Sequence, residues 1–101
     1  MSVSYQSQNT YPMVKNFTAV QTWTQVILPS KGRIITIGAE HDIYVSFEGT
    51  DGGTTTGINK LFIKAGGYMA LNRGVGNNQH NSVYVATKAS SSAEITLILE
   101  E

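Results

Sequence analysis

From Lys15 onward the chain is written in short runs whose apolar residues recur at every second position. Ile43, Val45 and Phe47 fall on one side of such a run, with Asp42, Tyr44, Ser46 and Glu48 on the other. Ile95, Leu97 and Leu99 alternate in the same way with Glu94, Thr96 and Glu100, Ile98 being an exception on the polar side. Val83 and Val85 oppose Tyr84 and Ala86. Successive side chains of a strand point to opposite faces, so each set marks one side of a sheet. This pattern predicts eight strands, at 15–20, 23–28, 33–38, 42–48, 60–64, 67–71, 82–88 and 93–100. No window has the spacing of an amphipathic helix.

Between Trp23 and Glu48 three runs are separated only by Pro29-Ser30-Lys31-Gly32 and Ala39-Glu40-His41. A parallel pair needs a crossover of about a dozen residues or more, so these runs are expected to form an antiparallel meander of hairpins. Two connections are longer, Gly49 to Gly57 and Asn72 to Asn81 (NRGVGNNQHN). They are expected to be flexible and to carry strands from one sheet to the other, as in a Greek key or jelly roll. The expected fold is an all-β, antiparallel, jelly-roll-like sandwich of about eight strands. Its core is expected to hold Val26, Leu28, Ile35, Ile37, Ile43, Val45, Phe47, Ile63, Val83, Val85, Ile95, Leu97 and Leu99. Residues 1–14 read as an extended N-terminal arm and 15–101 as the single sandwich domain. The arm is polar (Gln6, Gln8, Asn9) and broken by Pro12, yet Tyr5, Tyr11 and Met13 give it apolar residues with which to lie down on a surface.

Composition narrows the partners. Charged residues are 14% of the 101, seven basic against seven acidic. Nucleic-acid binding needs a basic stripe to neutralise phosphate, and none is present. There is no cysteine, which removes disulfides, zinc–thiolate sites and thiol nucleophiles and suits folding in a reducing cytoplasm. The opening MSVSYQSQNTYP has neither the basic start nor the apolar stretch of a signal peptide, and no run approaches transmembrane length. No membrane partner is expected. Asn16-Phe17-Thr18 matches a glycosylation triplet, but carries little weight without a secretory signal.

Candidate chemistry is sparse. His41 and His80 fall in or beside turns without a metal-ligand spacing between them. Asp51-Gly52-Gly53 opens like a calcium loop but lacks the carboxylates that should follow. Arg73-Gly74-Val75-Gly76 contains a Gly-x-Gly with no helix behind it to hold a phosphate, leaving a cationic Arg73 at a loop tip. Ser90-Ser91-Ser92 has no histidine near it in sequence. No cofactor, metal or catalytic group is expected, and a binding or structural role is favoured over an enzyme. Tyr44, Phe62 and Tyr84 lie opposite the aliphatic set of their strands, which suggests a second buried surface or a subunit contact. The residues expected to bind partners are therefore Tyr5, Tyr11 and Met13 of the arm, Tyr44, Phe62 and Tyr84 of the strands, and Arg73.

Three segments carry a family resemblance: Trp23-Thr24-Gln25-Val26-Ile27-Leu28-Pro29, Arg33-Ile34-Ile35-Thr36-Ile37-Gly38 and Asp42-Ile43-Tyr44-Val45-Ser46-Phe47-Glu48-Gly49-Thr50-Asp51-Gly52. Leu61 to Tyr68 and Val83 to Thr87 fit the later part. Over approximately residues 20–100 the chain resembles small virion structural proteins of tailed bacteriophages. The resemblance implies a non-enzymatic jelly-roll subunit, a capsid decoration or cement protein, made in the host cytoplasm and carried on the capsid surface. Its implied partners are the major capsid protein and itself, as a homotrimer or homodimer. The alternative is a carbohydrate-binding module, or a receptor- or glycan-binding part of a phage head fibre or tail, with a glycan as the partner.

Overall fold

The computed structural model describes residues 2–4 and 11–100. Among the described residues nine strands appear in the order β1 (Val3–Ser4), β2 (Met13–Ala19), β3 (Thr24–Ile27), β4 (Ile34–Ala39), β5 (Ile43–Ser46), β6 (Leu61–Ile63), β7 (Tyr68–Asn72), β8 (Ser82–Thr87) and β9 (Ala93–Glu100). One sheet has the order β1-β3-β8-β5-β6 and the other β2-β9-β4-β7. Setting β1 aside, strands β2 to β9 form the eight-stranded double Greek key of a jelly roll. The expected fold class holds, and each of the eight predicted strands is present.

The route between strands differs from the expected meander. β3, β4 and β5 do not pair with one another: β3 and β5 lie in the five-stranded sheet with β8 between them, and β4 lies in the other sheet. Short connections here arch across the gap between sheets, about 10 Å, instead of closing hairpins. The one pair of successive strands that do hydrogen-bond is β5–β6, joined by the long glycine-rich segment that was expected to cross.

Alternation fills the space between the sheets. Val26, Ile35, Ile37, Ile43, Val45, Val83, Val85, Ile95, Leu97 and Leu99 have no exposed surface. Burying each such side chain contributes about 1.5–3 kcal/mol. Phe47 is a correction to the expected core: it lies past the end of β5, is only half-buried, and stacks on the His80 ring at 4.3 Å and 18°.

The arm is also shorter than expected. β2 begins at Met13, whose side chain is 2% exposed and faces inward with Phe17 and Ala19. Met13 pairs with Leu99 and so belongs to the sandwich. Val3 and Ser4 add a parallel strand to β3 of their own sheet, in register with Val26 and Ile27.

Candidate interaction surfaces

The outer face of the five-stranded sheet brings two of the expected aromatics together. Tyr44 on β5 and Phe62 on β6 are directly paired across the ladder. Their rings sit 6.1 Å apart at 60°, the tilted geometry that aromatic quadrupoles favour. Lys60 places Nζ 5.2 Å from the Tyr44 ring and donates to the carbonyls of Thr55 and Ile58 at 3.1 and 3.4 Å. Lys88 places Nζ 5.1 Å from the Phe62 ring. Phe62 remains 45% exposed although it sits on a strand. The result is an apolar patch fringed by two ammonium groups and held on rigid backbone. Such a patch offers apolar contact at its centre and cationic contact at its edge.

Tyr84, the third of these aromatics, is half-buried and stands apart from the pair. The segment after β5 folds back over this part of the sheet, and Gly49 lies against the side chains of Tyr84 and Trp23. Trp23 is 1% exposed, and its backbone is tied to that segment in both directions. Gly52 N–H donates to Trp23 O at 2.7 Å, and Trp23 N–H donates to Gly53 O at 2.8 Å. Gln25 N–H donates to the Asp51 carboxylate at 3.0 Å, and this bond holds the Asp51 pKa below its ordinary value. The side chain of Ser46 donates to Asn59 O at 2.7 Å and accepts from Glu48 N–H. The segment expected to be a flexible loop is therefore a hydrogen-bonded cover, and Trp23 and Ala86 are buried outside the central apolar cluster.

Arg73 is a second correction. It does not project from a loop tip but is fully buried. Its Nη1 donates to the carbonyls of Pro29, Gly32 and Lys31 at 2.7, 3.1 and 3.2 Å, and its Nε donates to His80 O at 3.0 Å. Burial pushes the guanidinium pKa below its ordinary value, yet a guanidinium keeps its proton in proteins. Arg73 thus cross-links the β3–β4 and β7–β8 connections and is removed from partner binding. Gly32 is required by the turn that presents these carbonyls. Its φ is +98°, and a Cβ there would meet the Leu99 side chain at 2.7 Å.

The remaining expected residues separate. Met13 is in the core, Tyr11 is half-buried against it, and Tyr5 lies outside the described residues. His41 and Glu40 form an exposed pair at 4.0 Å, while His80 belongs to the Phe47 stack. Among the described residues no group of three or more His, Asp or Glu converges. A depression of about 320 Å³ opens beside Phe47 and His80, with Glu48, Asn59 and Lys60 on its wall. Sequence reasoning missed Lys60 and Lys88 as members of the aromatic patch. A lysine just before or just after a strand carries no signal that it will bend over a ring on another strand of the sheet.

Comparison with family models, curated proteins and solved structures gives no match.

Proposed function

We propose that this chain is a non-enzymatic structural protein of a tailed-bacteriophage virion, a decoration or cement protein of the capsid exterior. The observation that carries this reading is the Tyr44–Phe62 pair with Lys60 and Lys88 around it, on the exposed face of a rigid jelly roll. A cement protein needs a preformed surface that adds contacts to a lattice without chemistry. A tilted aromatic pair held by a strand ladder loses little conformational freedom on docking. The lysines favour a partner surface bearing carboxylates, such as one at the junction of major capsid subunits. The part assigned to the arm becomes smaller, because Val3 and Ser4 pair with β3 of the same chain.

The test is to mix the purified protein with capsids of its phage that lack it. The wild type is expected to rebind stoichiometrically and to raise the temperature at which capsids open. A Phe62→Ala/Lys88→Ala variant is expected to bind roughly 10–100-fold more weakly, the range for loss of an aromatic anchor. Failure of every form to bind capsids would remove the cement reading. A carbohydrate-binding role is the second reading, favoured by the depression where Glu48, Asn59 and Lys60 adjoin the Phe47–His80 stack. Glycan-array binding lost in Glu48→Ala would select it.

A further inference from the structure

The four-stranded sheet has an outer face of a different character. Register sets Val14, Ile98, Thr36 and Ala70 in one row across all four strands. The neighbouring row ends in Tyr68, which is 59% exposed. Its ring lies over Gly38, where a side-chain methyl would overlap it. Among the outward positions of these strands the only charges are Glu94 and Glu100, at the two ends of β9. The middle of the face is uncharged, and Val14 at one edge is 47% exposed.

We infer that this face binds the same face of a second copy of the chain, about a two-fold axis parallel to the strands. Three arguments select that occupant. First, an uncharged patch offers nothing to choose a charged partner, whereas it meets its own copy without repulsion. Secondly, the row is complementary to itself in size. The two-fold lays β9 on the partner copy's β4 and β2 on its β7. Ile98 then meets Thr36, Val14 meets Ala70, and each contact occurs twice, as an isologous interface requires. Thirdly, the area suffices. A strand spacing of about 4.8 Å and a rise of about 3.3 Å per residue give a face of roughly 20 by 22 Å. A pair of such corrugated faces buries on the order of 1,000 Å², the lower bound of a specific interface.

The dimer leaves the Tyr44–Phe62 patches on its two outward faces, as a bridging protein needs. The inference adds self-association to the proposed function and does not depend on a capsid.

Sedimentation velocity over a concentration series tests it. The wild type is expected to form a reversible dimer at tens of micromolar. Thr36→Arg, which sets a charge against Ile98 of the other copy, is expected to weaken it at least tenfold while the circular dichroism spectrum stays unchanged. Phe62→Ala is expected to remain dimeric. Because the chain has no cysteine, Val14→Cys mixed with Ala70→Cys gives an independent reading. Oxidation should yield the mixed disulfide dimer in preference to either like pair. A wild type that stays monomeric, a dimer untouched by Thr36→Arg, or cross-linking without preference would each overturn the inference. A Thr36→Arg protein that sediments as the wild type does but loses capsid binding would assign the face to a capsid subunit instead. Loss of capsid binding by all forms, with the dimer intact, would defeat only the proposed function.

Discussion

Replacing Arg73 with methionine tests the account of the loop cross-link most directly. Three N–H groups of Arg73 serve four carbonyls, since the two hydrogens of Nη1 are shared among Pro29, Gly32 and Lys31. Hydrogen bonds to a charged group contribute about 1.5–3 kcal/mol each after exchange with water, roughly 5–9 kcal/mol for three before the cost of burying the charge itself. Against this stand the desolvation of a cation with no carboxylate beside it among the described residues and its buried Nη2, which finds no partner there, several kcal/mol together. Methionine keeps the apolar stem and removes both the bonds and the desolvation. It leaves the fully buried contact at Gly32 O without a donor, at about 1–3 kcal/mol. The expected net destabilisation is about 2–4 kcal/mol, or a fall in Tm of about 10–30 °C for a domain of this size. Arg73→Lys keeps charge but loses the fork, and should fall between methionine and wild type. Urea unfolding followed by Trp23 fluorescence measures the difference. Hydrogen exchange should locate it at the amides of Arg73 and His80, which bond Arg33 O and Arg73 O. A methionine variant within about 0.5 kcal/mol of wild type would refute the argument.

Other outcomes follow from the same structure. Leu97→Ala, at a site with no exposed surface, should cost about 2–5 kcal/mol in chemical denaturation. The Asp51 carboxyl should titrate by NMR below the ordinary value of about 3.9, because Gln25 N–H stabilises the charged form. A folded-state pKa below the unfolded one means that this bond supports the fold above that ordinary value and is lost as pH falls through the folded pKa. A midpoint at or above 3.9 would show that the bond is absent in solution. Trp23, the single tryptophan, should emit at short wavelength and resist acrylamide quenching. Asp51→Ala, which removes one tie of the covering segment, should increase that quenching. Gly38→Ala should displace the Tyr68 ring, changing its chemical shifts while core methyl shifts remain in place.

The strands were legible because alternation is a local property. Ile43-Tyr44-Val45 and Ile95-Thr96-Leu97 each state which side is buried, and a one-residue slip would turn every apolar group to water. The same rule assigned Tyr44 and Phe62 to the outside. Met13 was missed because Pro12, one residue earlier, reads as a break. Yet Met13, Phe17 and Ala19 keep the period of two and bury together. What alternation does not state is which sheet a strand joins. A connection such as Ala39-Glu40-His41 can close a hairpin or arch between sheets, and each choice buries the same apolar face. Only the packing of β4 between β9 and β7 decides for the arch. Arg73 shows the limit most plainly. Beside two glycines, in a stretch of asparagines, it has the sequence context of an exposed loop. Its burial depends on carbonyls at Pro29, Lys31 and Gly32, some forty residues earlier in the chain, turning inward at the same place. Backbone carbonyls are common to every residue and leave no trace in a sequence, so tertiary structure alone could place that cation among them.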